Sequence, residues 1–332
     1  MLYFHSMSSS KERQNAIKRL KSFLFSSKSD VKSFREKIDE EFYEVYMPNM
    51  VELEEKTYGK IPCDILKPEM YSKKRLMIYI HGGAFVGGSR KAYRSFVSSL
   101  ANACSCVAVV PEFRLAPSHP FPFSVNDVQD VFTGIYNEYS SELYDLDEFE
   151  TNLPEIILAA DSSGASIALG FMLNLKSSFR KAVTRIVLIS PWLDVSEDNP
   201  KLSQKKGGDE VFTSEAVRLC VESYATVEKR NTPLVSPALA RPDEFKNFPP
   251  VYIQSGEKEM FLEECVEFDR LLTKAGVNCM LDVWPKMMSL FQLADDCLSE
   301  SHLAVEKIGK IIVNHIIEEH APLEESGEPK KQ

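Results

Sequence analysis

The segment IILAADSSGAS contains a serine, Ser162, whose neighbours two residues before and after it are the small residues Ala160 and Gly164. Small residues at these positions are typical of the G-x-S-x-G turn between a strand and a helix, here with alanine as the first residue. On such a turn the serine hydroxyl projects from a strained backbone and can attack a carbonyl carbon. The motif alone also fits an ordinary strand-to-helix turn, so Ser162 is a candidate nucleophile that needs partners.

A second segment that could serve the same chemistry is YIHGGAF, which runs from Tyr79 to Phe85. Its adjacent glycines, Gly82 and Gly83, follow an apolar run and leave backbone N–H groups open. Together with the N–H of Ser163, such donors could stabilise the oxygen anion of a tetrahedral intermediate. A plain glycine turn is the alternative, but the two segments together fit a single acyl-transfer mechanism.

The elements that would position these residues are short apolar runs that alternate with helical patterns. The strand-like runs are rich in β-branched residues, as strands buried on both faces are; they are Met77–Ile80, Val107–Val110, Ile156–Ala160, Ile186–Ile189, Val251–Gln254 and Met280–Val283. The helical patterns between them include Tyr93–Ala103, Val125–Tyr139 and Ala165–Ser177. This alternation predicts an α/β protein with a mostly parallel sheet that is covered by helices on both faces.

Two segments outside this alternation predict a helical cap. Residues 7–50 carry apolar side chains at helical spacing on both sides of Ser26–Asp30, which predicts two amphipathic helices. Residues 196–230 interrupt the alternation and are expected to lie above the ends of the strands. We therefore expect three regions in the chain: a remnant of an expression tag at 1–6, a single domain at 7–320 and a disordered tail at 321–332.

The composition limits the partners of the protein. Hydrophobic residues make up 44% of the 332 residues, and the formal net charge is -10. This charge argues against nucleic acids and anionic membranes, because both require a basic face. The chain shows no long apolar run and no signal peptide, which predicts a cytoplasmic protein without a membrane span. Its seven Cys residues include no C-x-x-C pair, so reduced thiols are expected.

Four motifs in order carry a specific resemblance: HGGAFVGGS, FRLAPSHPFP, ADSSGA and SPWLD. Together they resemble the hormone-sensitive lipase family of α/β-hydrolases, which includes bacterial-type carboxylesterases, over residues 51–315. The resemblance implies the α/β-hydrolase fold, with an eight-stranded, mostly parallel sheet and a helical cap. It also implies hydrolysis of short to medium acyl esters, a small-molecule ester or carboxylic ligand, and no metal or organic cofactor.

The same resemblance assigns the acid of a catalytic triad to Glu259, three residues after Gly256 in the stretch VYIQSGEKEMFLEE. Many relatives have Asp at this position. An acid that follows the nucleophile in the chain agrees with the usual triad order. The other acidic residues of the stretch are expected to form a solvated helix start; they are Glu257, Glu263 and Glu264.

The base of the triad is missing from the sequence. In WPKMMSLFQ the resemblance places Ser289 at the family's histidine position, and a serine hydroxyl has no useful basicity at neutral pH. His81 belongs to the predicted oxyanion loop, and His119 belongs to a turn of the family. His302 lies on an apolar helical stripe with Val305, so we expect a histidine packed in the core rather than a substitute base.

Two interpretations therefore stay open. In the first, the chain is a hydrolase of this family whose turnover is weak or absent because the triad histidine is missing. In the second, it is a pseudoenzyme that binds a small carboxylic or acyl ligand, as do plant gibberellin receptors, which resemble these esterases and lack the histidine. A residue engineered at position 289 is a third explanation of the serine. The sequence leaves the oligomeric state open, a homodimer included.

Overall fold

Eight strands form one sheet in the computed structural model, which describes residues 8–43, 50–141, 154–203 and 208–316. In chain order the strands are β1 (Val51–Tyr58), β2 (Ile61–Pro68), β3 (Arg75–Ile80), β4 (Val107–Pro111), β5 (Glu155–Asp161), β6 (Val183–Ile189), β7 (Val251–Gly256) and β8 (Cys279–Trp284). Across the sheet they are ordered β1-β2-β4-β3-β5-β6-β7-β8. The predicted α/β fold class with an eight-stranded sheet is confirmed.

The sheet is parallel from β4 to β8 and antiparallel at one edge, where β2 pairs with β1 and β4. All six apolar runs predicted as strands correspond to β3–β8. The hairpin of β1 and β2 was not visible as an apolar run, because most of β1 is exposed and carries charged side chains. An edge strand with one solvated face needs no continuous apolar sequence.

Eleven α-helices connect and flank the strands in the described part of the chain. They are α1 (Ser10–Leu20), α2 (Val31–Tyr43), α3 (Arg90–Cys104), α4 (Phe123–Ser141), α5 (Ser162–Asn174), α6 (Ser177–Arg180), α7 (Pro200–Ser203), α8 (Ser214–Tyr224), α9 (Val227–Arg230), α10 (Leu262–Lys274) and α11 (Ser299–Val313). Helix α3 packs against α2 and α11, whereas α4 packs against α5. The three predicted helical patterns fall on α3, α4 and α5, although α5 begins at Ser162 and ends at Asn174 rather than at Ser177.

Both segments predicted as a cap contact the loop that follows β3. Helix α2 docks there through Arg35, whose side chain donates hydrogen bonds to the carbonyl of Val86 at 2.8 Å and to that of Ala116 at 2.9 Å. From the inserted segment, Tyr224 stacks on Phe85 of the same loop, with ring centroids 4.0 Å apart. These contacts place both helical segments beside the residues predicted to do chemistry.

Some predictions fall on residues outside the described ranges. They concern the tag remnant at 1–6 and the tail at 321–332. Within the described ranges, no helix has the length and the apolar character needed to cross a bilayer.

Candidate active site

Ser162 lies at the junction of β5 and α5, where the predicted strand-to-helix turn is found. Its φ angle is 47°, in the left-handed region that non-glycine residues rarely adopt. The hydroxyl is buried, and no hydrogen-bond partner for it exists among the described residues. A buried hydroxyl without a partner destabilises a fold and calls for an explanation, and a catalytic role is one such explanation. These features fit a nucleophile held ready on a strained turn.

The turn is possible because Gly164 approaches the neighbouring backbone closely. A Cβ atom at Gly164 would lie 2.2 Å from the carbonyl oxygen of Ile80 and 2.6 Å from that of His81. Position plus two therefore requires glycine for packing reasons. On the other side of the nucleophile, Ala160 is fully buried, and its small side chain satisfies the predicted requirement at position minus two.

The loop after β3 corrects the prediction for Gly82. The N–H of Gly82 donates a 2.8 Å hydrogen bond to the carboxylate of Asp161, so it is not available to an oxygen anion. The loop closes on itself, since the N–H of Gly87 donates to the carbonyl of Gly83 at 2.7 Å. The hydroxyl of Ser163 accepts a hydrogen bond from Phe85 N at 3.0 Å. Gly83 and Ser163 therefore keep their predicted roles as backbone donors, as a proposal.

Asp161 ties this loop to the nucleophile turn, and the sequence reasoning missed it. Its buried carboxylate accepts hydrogen bonds from the hydroxyls of Tyr79 and Tyr93, both at 2.9 Å, in addition to the N–H of Gly82. Burial raises the pKa of Asp161 to about 7 even though these three donors lower it. The residue stands in the quoted motif ADSSGA, directly before Ser162, so its position was visible but its partners were not.

The contacts of His81 are structural. Its ring is buried and stacks on Phe113 with centroids 4.3 Å apart, and Nδ1 lies 2.8 Å from the carbonyl oxygen of Gly82. Burial lowers the pKa of His81 to about 4. The ring is therefore neutral at pH 7, and its nitrogen is engaged with the loop backbone rather than with Ser162.

Glu259 follows β7 and is buried, as a triad acid would be. Its Oε1 accepts hydrogen bonds from Gly256 N at 2.6 Å and from the Ser190 hydroxyl at 2.7 Å. Burial raises the pKa of Glu259 to about 8; the donors lower it, and the negative charge of Asp209 raises it further. Neither of these hydrogen bonds joins Glu259 to an imidazole.

Ser289 is buried in the loop that follows β8, and its hydroxyl donates a hydrogen bond to the carboxylate of Asp209. The same carboxylate oxygen accepts a 3.1 Å hydrogen bond from the N–H of Met260, the residue after Glu259. The structure thus joins the Ser289 loop to the Glu259 loop through Asp209. Asp209 was not predicted from the sequence, because it lies in the inserted segment and belongs to none of the quoted motifs.

None of the other histidines supplies a base in the described part of the chain. The side chain of His302 is 62% exposed and faces Asp295 and Glu306 at 3.8 and 3.6 Å. The prediction of a packed core histidine is wrong, because the buried face of α11 passes through Ser301 and Val305 instead. His119 packs edge-on against the ring of Phe123, with centroids 5.4 Å apart. His315 contacts the guanidinium of Arg185.

The prediction of a solvated helix start holds for two of the three glutamates. Glu257 and Glu263 are exposed. Glu264 is only partly exposed, and its carboxyl accepts hydrogen bonds from Asn199 Nδ2 at 2.7 Å and from Asp194 N at 3.1 Å. Burial raises the pKa of Glu264 to about 8, against the lowering by these donors. Glu264 therefore holds the start of the inserted segment against α10.

An aromatic cluster packs beside Ser162. Trp192 donates its backbone N–H to the carbonyl of Ser162 at 3.1 Å, and its indole lies between 5.5 and 5.9 Å from the rings of Phe85, Phe212 and Phe261. These aromatic side chains are all buried. One side of Ser162 is therefore apolar, which suits an acyl group and strengthens any electrostatic contact made there.

The described side chains include no cluster of three or more His, Cys, Asp or Glu residues that could hold a metal ion. The polar groups around Ser162 are instead engaged in hydrogen bonds that fix the loops. What the arrangement offers chemically is a buried serine hydroxyl on a strained turn, with an aromatic cluster packed nearby.

Comparison with known proteins agrees with this description. A family model described as alpha/beta hydrolase fold matches residues 77–293. The chain therefore belongs to the alpha/beta hydrolase fold family, and it is an esterase- and lipase-like member. An esterase of Acinetobacter venetianus is 27% identical over 240 residues, which are 72% of this chain and 75% of that protein. An acetyl-hydrolase of Streptomyces hygroscopicus is 25% identical over 258 residues, or 77% and 81% of the two chains.

Solved structures show the same fold. An esterase from the bacterial hormone-sensitive lipase family superposes with a TM-score of 0.77 at 22% identity, covering 93% of this chain and 100% of that one. The structure of EstE5 soaked by p-nitrophenyl butyrate superposes with a TM-score of 0.76 at 20% identity, covering 92% and 99% of the two chains.

Proposed function

We propose that the protein is a carboxylic ester hydrolase of the hormone-sensitive lipase type that acts weakly on short to medium acyl esters. The observation that carries the proposal is the Ser162 hydroxyl, which is buried on a left-handed turn without a partner. A strained and unpaired hydroxyl in an apolar site is ready for a substrate carbonyl rather than for a structural contact. The acetyl-hydrolase among the relatives supports a short acyl group.

The first step is attack of Ser162 Oγ on the carbonyl carbon of the ester. The carbonyl oxygen becomes an anion, and the N–H groups of Gly83 and Ser163 are proposed to stabilise it. The proton of the hydroxyl has no imidazole to receive it, so it must pass to water. The alkoxide of an ordinary ester must then leave without a general acid, which makes this step slow.

The missing base sets the scale of the activity. In a serine protease, loss of the triad histidine costs about 10⁶ in kcat and leaves roughly 10³–10⁴-fold over the reaction in water. Binding and backbone donors account for that remainder. We therefore expect slow turnover for this chain, and activated esters should react better than alkyl esters because their leaving groups need no proton.

A second function is favoured by one specific observation, the hydrogen bond from Ser289 to Asp209. This bond engages the Ser289 hydroxyl and holds the loop at the family's histidine position in place, as expected of a site that binds a ligand without reacting with it. The alternative is a pseudoenzyme that holds a small carboxylic or acyl ligand. In that case Ser162 would contribute a hydrogen bond to the ligand and no covalent step.

Initial rates on p-nitrophenyl acetate and p-nitrophenyl butyrate separate the two functions. The hydrolase proposal expects a rate above that of the Ser162→Ala variant, measured at equal protein concentration and corrected for spontaneous hydrolysis. Equal rates for both proteins would reject the hydrolase and leave the binding function.

A further inference from the structure

Asp209 is held in place by four hydrogen-bond donors. Its Oδ1 accepts from the N–H groups of Val211 and Phe212, at 2.7 and 2.9 Å. Its Oδ2 accepts from Met260 N at 3.1 Å and from the Ser289 hydroxyl. An ionised carboxylate is an acceptor only, so four donors match its ionised form. The inserted segment therefore presents a fixed carboxylate to the side chain at position 289.

Glu259 makes a different set of contacts. Its hydrogen bonds go to Gly256 N and to the Ser190 hydroxyl, and the side chain of Ser289 takes part in neither of them. Burial raises the pKa of Glu259 to about 8, so this carboxyl is mostly protonated at pH 7. The hydrogen bonds of Glu259 therefore hold the loop after β7 and do not reach the side chain at position 289.

We propose that Asp209, and not Glu259, is the positioning residue for the side chain at position 289. In the present chain it orients the Ser289 hydroxyl, and it would orient any base placed there. The inference rests on the proposed function, because it assigns a role within the site of an ester hydrolase. It goes beyond that function because it moves the charged partner from the loop after β7 to the inserted segment.

Simple geometry supports the assignment. The hydroxyl oxygen of serine is one bond from Cβ, whereas Nδ1 of histidine is two bonds from Cβ. A carboxylate that already binds the Ser289 hydroxyl is therefore within reach of an imidazole Nδ1–H after rotation about the side-chain bonds. A bond from Nδ1–H to Asp209 would leave Nε2 unprotonated and free to act as the base.

The charges around position 289 can be separated by substitution. Besides Asp209 and Glu259, they include Arg13 of α1, whose guanidinium lies 3.4 Å from Met288 Sδ and pairs with Glu210 at 2.6 Å. Glu210 is the neighbour of Asp209 and has the same charge, but it pairs with Arg13. Glu210→Gln is therefore a matched control for removal of a negative charge from this segment.

The test is an NMR titration of the imidazole introduced by Ser289→His. Burial at this position lowers the pKa of the ring, and we expect the adjacent carboxylate of Asp209 to raise it, because a carboxylate favours the charged ring. Adding Asp209→Asn should lower that pKa by about one unit or more. Adding Glu259→Gln or Glu210→Gln should lower it much less. A loss of the shift with Glu259→Gln and its persistence with Asp209→Asn would overturn the assignment.

This titration does not depend on catalysis, so it separates the inference from the proposed function. A Ser289→His variant that remains inactive while its imidazole responds to Asp209→Asn would reject the hydrolase and keep the assignment. An active variant that keeps its kcat/KM after Asp209→Asn would keep the hydrolase and reject the assignment. In an active variant we expect Asp209→Asn to lower kcat/KM by about tenfold or more. Without the carboxylate, the imidazole is no longer held in the tautomer that leaves Nε2 free to accept a proton.

A second measurement covers a Ser289→His variant that does not fold. In the otherwise unmodified chain, Ser289→Ala removes the donor of this hydrogen bond and Asp209→Ala removes its acceptor. The decrease in Tm of the double variant should then be smaller than the sum of the two single decreases. Additive decreases would overturn the assignment, because they would mean that Asp209 does not act on position 289.

Discussion

The hydroxyl of Ser190 donates a 2.7 Å hydrogen bond to the carboxyl of Glu259. The Oγ of Ser190 also accepts a 3.1 Å hydrogen bond from the N–H of Leu290, the residue after Ser289. One buried hydroxyl thus joins the loop after β7 to the loop after β8. Ser190 itself has a φ of 44°, so the chain bends sharply to bring it there. The loops that would carry the acid and the base are fixed by a serine from the SPWLD motif.

Ser190→Ala is therefore expected to destabilise the protein by about 1–3 kcal/mol, because it leaves the buried N–H of Leu290 and the Glu259 carboxyl without this partner. Urea unfolding of the variant measures this loss. Ser22→Ala is the control, since Ser22 is also buried and its hydroxyl has no partner among the described residues. Equal decreases in the free energy of unfolding for the two variants would show that the hydrogen bonds of the Ser190 hydroxyl do not stabilise the protein.

The buried carboxyls predict a pH dependence of stability with a defined sign. The pKa of Glu259 is about 8 in the folded protein, against about 4.3 for an ordinary Glu. Between these values the folded state keeps a proton that the unfolded state has released. The free energy of unfolding therefore falls as the pH rises, by at most about 1.4 kcal/mol per pH unit for this group.

The side chain introduced by Glu259→Gln cannot titrate, so the free energy of unfolding of this variant should change less with pH. Its free energy of unfolding should exceed that of the parent protein most near pH 8. Urea unfolding at several pH values between about 5 and 8 measures the difference between the two profiles. The exposed Glu257 provides a control through Glu257→Gln, whose profile should follow that of the parent. Parallel profiles for Glu259→Gln and the parent would contradict the neutral state of Glu259.

Gly164→Ala tests the packing of the nucleophile turn. The added Cβ would collide with the backbone oxygens of Ile80 and His81, and backbone cannot move as a flexible side chain can. We expect a loss of about 3 kcal/mol or more in the free energy of unfolding. Gly276→Ala is the comparison, because its Cβ meets nothing within 4 Å and only its φ of 75° is unfavourable. A loss no greater than that of Gly276→Ala would contradict the close approach.

Ser289→His should restore much of the missing catalysis. A positioned general base typically contributes 10²–10⁴-fold, so kcat/KM on short p-nitrophenyl esters should rise by at least about a hundredfold. The rise should disappear when Ser162→Ala is added, because the new base has no other nucleophile to activate. Ser289→Ala is the matched control without a base. An unchanged rate in a folded Ser289→His variant would favour the binding function.

The sequence predicted the sheet and the nucleophile turn because both are local. Apolar runs such as Ile156–Ala160 predict a buried strand, and the small residues around Ser162 predict the turn that follows it. The edge hairpin could not be predicted in this way, since β1 is mostly exposed and charged. It was expected only because the resemblance implied eight strands.

The partners of the site residues could not be predicted, because they depend on contacts between distant segments. Nothing in the sequence around Asp209 shows that it meets Ser289, which lies 80 residues further along the chain. The N–H of Gly82 was expected to be free, but it donates a hydrogen bond to Asp161, because a buried carboxylate requires hydrogen-bond donors. His302 is spaced along α11 like a residue of its apolar face, but the buried face of the helix lies to one side of it, so the side chain is exposed.

The central claim is that Ser162 is a working nucleophile without a base. Intact-protein mass spectrometry after incubation with p-nitrophenyl butyrate tests it most directly, because this ester can acylate the serine without a protonated leaving group, whereas release of the acyl group needs a base to activate water. We predict that one butyryl group accumulates on the protein, that peptide mapping places it on Ser162, and that Ser162→Ala carries none. Absence of the adduct, with no turnover above that of Ser162→Ala, would contradict the claim, as would an equal adduct on Ser162→Ala.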